Sequence, residues 1–372
     1  MVSIARKNLF HDPGRLIITL VGLTASLVLI FFAMGMFIGT LDESVTIVNH
    51  TDADIWVLQK GNKEILGPSI FEDIVLKDIE RMPEVGSAHK LVFSNNLIEK
   101  DGRKMGVMLV GFNMKDKVGA PWDIVSGSLA GLASGNSIMV DRSVERKFGK
   151  LDIGDRFTIN GQAQRLVGIS TGAKWFINPY VFTTYENAQT LSRMRPGETN
   201  FILVKTKQGS DPALVARKII SMGTVDAYPT PKARRNTRNF MIYESGMGMS
   251  LGAMAIAGLI VAAIIISLTV YTATMERIPE FGTLKAMGAR RSDIYRILLG
   301  QVVISVVLGF LLGALFGFVV SAVIGGFTIL PMRITPLALV IAFSLTLVLS
   351  ILGSLFCIRK VNKVDPAIVF RT

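Results

Sequence analysis

Residues 276–301 read ERIPEFGTLKAMGARRSDIYRILLGQ, and a long apolar run lies on either side of them. An apolar run of roughly twenty residues is long enough to cross a bilayer as a helix. The charged stretch between two such runs therefore lies at a membrane face. It carries Arg277, Lys285, Arg290, Arg291 and Arg296 among helix formers, with Gly282, Gly288 and Gly300 as interruptions.

Outward from that stretch, apolar runs recur at 16–39, 246–274, 297–325 and 335–358. Between the first and second lies a segment of different composition, rich in charges, turn residues and short β-type runs. The expected fold is an α-helical membrane domain of four spans plus a mixed α/β extracytoplasmic domain inserted between spans one and two. The divisions are 1–15 as a cytoplasmic amphipathic segment, 16–39 as the first span and 40–245 as the inserted domain. Residues 246–358 form spans two to four with a cytoplasmic loop at 275–296, and 359–372 form a cytoplasmic tail. Half of the 372 residues are hydrophobic and the formal net charge is +12, which excludes an ordinary soluble enzyme. The basic residues cluster at span ends, as membrane orientation requires, so the charge does not signal nucleic acid. With one cysteine, Cys357, the chain forms no internal disulfide.

Short connections set the orientation. Arg6, Lys7 and Arg15, the five basic residues of the loop, and Arg359, Lys360, Lys363 and Arg371 place both termini and the loop inside. Lys232, Arg234, Arg235 and Arg238, just before the second span, run against that assignment. A long translocated domain is less bound by the charge rule. The first span is too long for a secretory h-region and FAMGMFIGT offers no convincing cleavage site, so it reads as a retained anchor.

Within the inserted domain, Asp54–Gln59 and 200–206 alternate as strands, and the spacing over 71–82 predicts a helix. Further helices are expected at 141–149, 185–193 and 211–222. Asp101-Gly102 and Asn160-Gly161 signal hairpins.

Motifs that carry chemistry are absent from the sequence. It contains no GxxxxGK[ST] phosphate loop, no HExxH and no GxSxG, and His11, His50 and His89 have no ligand-like spacing. No metal or cofactor is expected on this chain. The third span does carry a pattern: Ser305, Gly309, Gly313, Gly317, Ser321 and Gly325 recur every four residues along one helix face. Small residues in that spacing let another helix approach closely. The stripe reads either as tight packing against the first or fourth span, or as a sliding or dimerising seam.

The segment Glu276–Gln301, with EFGTLKAMGARR at its centre, resembles the loop after the second span of MacB/FtsX-type permeases of ABC transporters. The order of spans is similar to theirs, and so is the terminal KVDPAIVFR at 363–371. The inserted domain and tail look like those of the DevC-like and HrtB-like branches. The resemblance implies a coupling helix over about Ile278–Met287 that docks on a separate ABC ATPase subunit, where ATP and Mg are bound. Glu280, Phe281, Gly282, Leu284, Lys285, Met287, Gly288, Arg290 and Arg291 would form that element. Phe281, Leu284 and Met287 supply its apolar face, and Gly288 its C-terminal end. Lys285, Arg290 and Arg291 would meet acidic groups or lipid phosphates, although the positive-inside rule accounts for part of that charge.

The resemblance also implies a permease homodimer in the bacterial cytoplasmic (inner) membrane. The work implied is export or extraction of an amphiphilic substrate, a lipid or glycolipid, from the outer side. The DevC-like branch adds a membrane-fusion protein and an outer-membrane channel as partners. A haem-type amphiphile is the HrtB-like alternative, and an FtsX-like regulator of an extracytoplasmic hydrolase is a third. Met34, Met36, Tyr243, Glu244, Met247 and Met249 fall near the outer boundary. Such side chains can ligate haem iron, although Met in a helix more often fills gaps.

The orientation is tested by labelling. In a Cys357→Ser background, cysteine at Asn160 should react with an impermeant maleimide added outside, and cysteine at Ser292 only after permeabilisation. The reverse pattern overturns the assignment.

Overall fold

The computed structural model describes residues 13–276, 291–327, 330 and 332–361. The chain divides into two compact units, one built from the apolar helices and one spanning Gly39–Gly248 with 327–331.

The first unit contains four helices long and apolar enough to cross a membrane, over Leu16–Glu43, Met247–Thr272, Tyr295–Val323 and Pro336–Leu355. Their full extents are Pro13–Glu43 (α1), Met247–Glu276, Arg291–Phe327 and Pro336–Val361. The first helix thus runs four residues beyond the expected end of its span. Ile18, Ile256, Leu268, Leu311, Phe318 and Leu337 point outward from the unit. Exposed apolar side chains of that kind suit hydrocarbon, and the helices satisfy their backbone groups internally. The inner face buries Leu23, Leu27, Ile30, Phe31, Ile266 and Val302.

The inserted domain contributes the remaining elements, in chain order. Thr46–His50 (α2) and Ile55–Gln59 (β1) come first. Phe71–Glu72 (β2), Val75–Glu80 (α3), Val85–Lys100 (β3) and Arg103–Phe112 (β4) follow. Next are Ile124–Gly127 (β5), Ser137–Asp141 (β6), Glu145–Phe148 (α4), Arg156–Ile159 (β7) and Gln162–Ser170 (β8). Then come Lys174–Trp175 (β9), Asn178–Thr184 (β10), Tyr185–Leu191 (α5), Glu198–Thr199 (β11) and Phe201–Thr206 (β12). Pro212–Ser221 (α6), Val225–Pro229 (β13) and Thr230–Asn239 (α7) complete the domain. We number the three remaining membrane helices α8 (Met247–Glu276), α9 (Arg291–Phe327) and α10 (Pro336–Val361).

The main sheet runs β13-β1-β12-β3-β4-β10-β6-β8-β5, with β7 and β9 joined at its side. Pairs β4/β10 and β6/β8 are parallel and the rest antiparallel. The 16-residue β3 joins two lobes. Its first half, through Leu91, pairs with β12, and its second half, from Val92, pairs with β4.

Local chemistry accounts for the turns. Asp101 (φ 51°) with Gly102 (φ 73°), and Asn160 (φ 48°) with Gly161 (φ 84°), sit in the left-handed region that two-residue hairpins require. Helix α6 starts where Asp211 accepts from the Ala213 amide and Pro212 occupies the first turn. The expected helix at 71–82 begins only at Val75. Phe71 and Glu72 instead pair as β2 with Thr199 and Glu198 of β11, a contact more than a hundred residues away.

Asn200 sits at the joint of the two lobes. Its Oδ1 accepts from the Phe93 amide at 2.9 Å, and its Nδ2 donates to the Ser69 carbonyl at 2.5 Å. Asn200→Leu leaves both backbone groups without those bonds inside the domain. A buried unmet backbone group costs about 1–3 kcal/mol, so thermal unfolding of the full chain should fall by several degrees. An unchanged Tm would show that the joint is held by strand pairing alone.

Candidate functional site

The small-residue stripe has a defined partner. The Cβ absent from Gly313 would stand 2.7 Å from Leu27 Cβ, and that of Gly317 3.0 Å from Phe31 Cδ2. Gly309 meets Leu23 in the same way. Leu23, Leu27 and Phe31 lie four residues apart on α1, so the two helices mesh at matching periods. Ser305, one turn further along, is buried. Ser321 is half-buried. The stripe of α9 therefore faces the first span of its own chain.

Two more close approaches surround α1. Gly22 faces Ile265 of α8 and Gly258 faces Ile30, each missing Cβ 2.8 Å from the facing carbon. Thr19 Oγ1 and Thr269 Oγ1 share a hydrogen bond of 2.9 Å. On the far side of α8, Gly353 abuts Ser267. Phe310 joins Phe31 edge-to-face at 5.7 Å and Phe343 of α10 at 5.0 Å. In lipid the apolar effect does not drive helices together, so these close backbone approaches and the polar pair hold the unit.

At its domain end α1 closes on a polar joint. Glu43 Oε1 lies 2.9 Å from Lys174 Nζ of β9, and Glu43 is almost wholly buried. Burial, reinforced by the Glu43 carboxylate, pushes the Tyr180 phenol far above its usual range. Trp122 packs edge-to-face on Tyr180 and Phe182 and stacks on His50 at 4.1 Å. An aromatic cluster that includes Tyr180 thus lies beside the Glu43 carboxylate at the end of α1.

The residues weighed as a substrate boundary are divided between the two units. Met34 packs on the apolar core of the membrane unit and Met36 is buried. Tyr243 and Glu244 are exposed on a π-helical turn, Phe240–Glu244, of the inserted domain. Met247 is half-buried and Met249 exposed. Met34 and Met36 therefore act as packing groups within the membrane unit. Among the described residues no three His, Cys, Asp or Glu side chains gather as a metal-holding group. A cleft of about 460 Å³ in the domain is lined by Glu80, His89, Lys90, Asp116 and Tyr185. Within it His89 lies 3.2 Å from Asp116, and Lys90 lies 2.8 Å from Asp73 and over the Tyr185 ring. Such a polar cleft offers no seat for an apolar tail. The coupling residues Glu280 to Arg290 lie outside the described residues. Arg291 opens α9.

Tightly meshed spans with a folded domain inserted after the first define a multi-pass membrane protein. Sequence comparison then fixes the family. The MacB-like periplasmic core domain family matches residues 16–222, and the FtsX-like permease C-terminal family matches residues 252–366. The chain belongs to the MacB/FtsX-type permeases of ABC transporters. It is 22% identical to a protein assigned as the hemin transport system permease HrtB of Staphylococcus haemolyticus, over 94% of this chain and 93% of that one. It is 24% identical to an uncharacterised ABC transporter permease of Mycobacterium tuberculosis, over 100% of this chain and 99% of that one. Solved structures similar to it include the periplasmic region of MacB from Actinobacillus actinomycetemcomitans (TM-score 0.41, 9% identity, 52% of this chain and 96% of that one). The extracellular domain of YknZ, an ABC-type transporter of Gram-positive bacteria, gives a TM-score of 0.37 at 13% identity, over 48% of this chain and 100% of that one.

Gly313→Leu places a bulky side chain where Leu27 already stands. Overpacking typically costs about 1–3 kcal/mol, so both thermal stability and transport activity should fall, with a milder effect for Gly300→Leu off the stripe. Wild-type stability and activity in Gly313→Leu would show that the seam opens at no cost.

Proposed function

We propose that this permease couples ATP hydrolysis by a separate ABC ATPase to export or extraction of an amphiphilic substrate, a lipid or glycolipid. It would act as a homodimer in the bacterial inner membrane with both termini cytoplasmic. ATP and Mg would reside on the partner. A coupling helix containing Phe281, Leu284 and Met287 would receive the ATPase stroke, and the spans would carry it to the inserted domain. One observation carries the mechanical part. Helix α1 is unbroken from Pro13 to Glu43, and Glu43 is ion-paired to Lys174 of the domain sheet. A continuous helix would give the stroke a covalent route from the first span into the domain that a flexible linker would not. The amphiphile reading draws support from the pairing of lipid-length spans with a polar inserted domain.

The similarity to HrtB favours a second reading, in which the amphiphile is of the haem type. It needs an iron ligand, and Tyr243 and Glu244 are the exposed candidates.

Both readings require the ATPase. Phe281→Ala combined with Leu284→Asp should leave the chain inserted and folded while ATPase co-purification is lost. Retention of the ATPase at wild-type yield would refute the docking assignment. With the complex intact, ATPase stimulation by glycolipid and not by haem supports the lipid reading. Stimulation by haem, lost in Glu244→Gln, transfers the assignment to the haem reading. Stimulation by neither counts against transport and favours a regulatory role.

A further inference from the structure

Helix α7 carries four basic residues and no acidic one, immediately before the second span. It turns its small side chains inward. Ala233 and Thr237 are buried, and Thr237 donates to the Ala233 carbonyl at 2.9 Å while its oxygen accepts from the Ile65 amide. Lys232, Arg235 and Arg238 stand on the opposite, exposed face. Lys232 rests over the Tyr228 ring at 5.0 Å. Arg238 lies 3.4 Å from Asp42, but both partners are substantially exposed. Exposed pairs of that kind contribute little and exchange readily. Arg235 has no acidic partner within 4 Å among the described residues. The facing acidic groups are Asp42, Glu244 in the next turn, and Glu64 in the loop that α7 holds through Asn236 and Lys63.

The helix is tied closely to the membrane by the chain itself. Only residues 240–246 separate it from Met247, where the second span begins. Seven residues reach at most about 25 Å fully extended, and a helical turn shortens that reach. Tyr243 in this stretch is 76% exposed. An exposed Tyr beside a span end suits the headgroup zone, and basic residues at a membrane face attract anionic lipid. We infer that the Lys232–Arg235–Arg238 face of α7 docks on the phosphate headgroups of anionic phospholipid in the leaflet where the second span begins. Docking would make the permease sensitive to lipid composition. The inference depends neither on the substrate nor on which face of the membrane the domain occupies.

The test uses the full chain in nanodiscs. Cys357→Ser and Asn239→Cys give a single thiol for a bimane fluorophore at the end of α7, and a headgroup spin-labelled lipid serves as quencher. Quenching should rise as phosphatidylglycerol replaces phosphatidylcholine. The phosphatidylglycerol fraction for half-maximal quenching should increase roughly fivefold for each of Lys232→Gln and Arg235→Gln. Arg235→Lys, which keeps the charge, should respond as the wild type does, and thermal unfolding of all variants should match. Equal quenching in neutral and anionic nanodiscs overturns the proposal. So does an unchanged response in the Lys232→Gln, Arg235→Gln double variant. Loss of quenching on adding millimolar inorganic phosphate at constant ionic strength would reassign the face to a soluble anion.

Discussion

The close approach of α9 to α1 is the constraint on which the membrane unit depends. A helix pair in lipid gains nothing from burying Leu, since the tails are equally apolar, and must rely on contact and geometry. Removing the Cβ at Gly309, Gly313 and Gly317 lets Leu23, Leu27 and Phe31 sink to backbone depth. The same device recurs at Gly22 and Gly258, so α1 is gripped on two sides. Helix α10 joins the unit through the Phe310–Phe343 stack, Phe310 in turn meeting Phe31, and through α8 at Gly353. The first span is thus the hub of the unit.

The inserted domain solves a different problem. It must fold without a disulfide, and it does so by running one long strand through both lobes. Strand β3 belongs to both: β12 takes its first half and β4 its second. One core runs through both lobes, from Trp56 and Leu203 to Val110 and Phe182, and each lobe adds its own, around Ile55, Val75 and Ile219 and around Leu109, Val140 and Phe157. Asn200 answers the Phe93 amide just after the strand changes partners and is itself tied to the Ser69 carbonyl.

Local physics was legible in the sequence and nonlocal pairing was not. Asp101-Gly102 and Asn160-Gly161 announce their turns because few residue pairs tolerate two positive φ values. The span count follows from length and apolarity alone. The four-residue stripe was visible too, but its partner was not. Leu23, Leu27 and Phe31 carry the matching period, yet in a span nearly every position is apolar and no one period stands out. Phe71–Glu72 shows the same limit from the other side. Its spacing suited a helix, and only Glu198–Thr199, far along the chain, could make it a strand. The buried joint Glu43–Lys174 gave no signal, because two charges 131 positions apart look like any other surface residues until the fold brings them together.

Glu43 and the glycine seam belong to one unbroken helix. Helix α1 has 31 residues, about 45 Å at 1.5 Å each. Leu23, Leu27 and Phe31 mesh with α9, and Glu43 at the far end pairs with Lys174. Glu43 is almost wholly buried, so losing its cation would leave an uncompensated carboxylate. The seam has the opposite character. Its contacts are dispersion contacts spread over three turns, each individually small. Within the membrane unit the seam is therefore a contact of many small parts, whereas the ion pair inside the inserted domain is a single directed one.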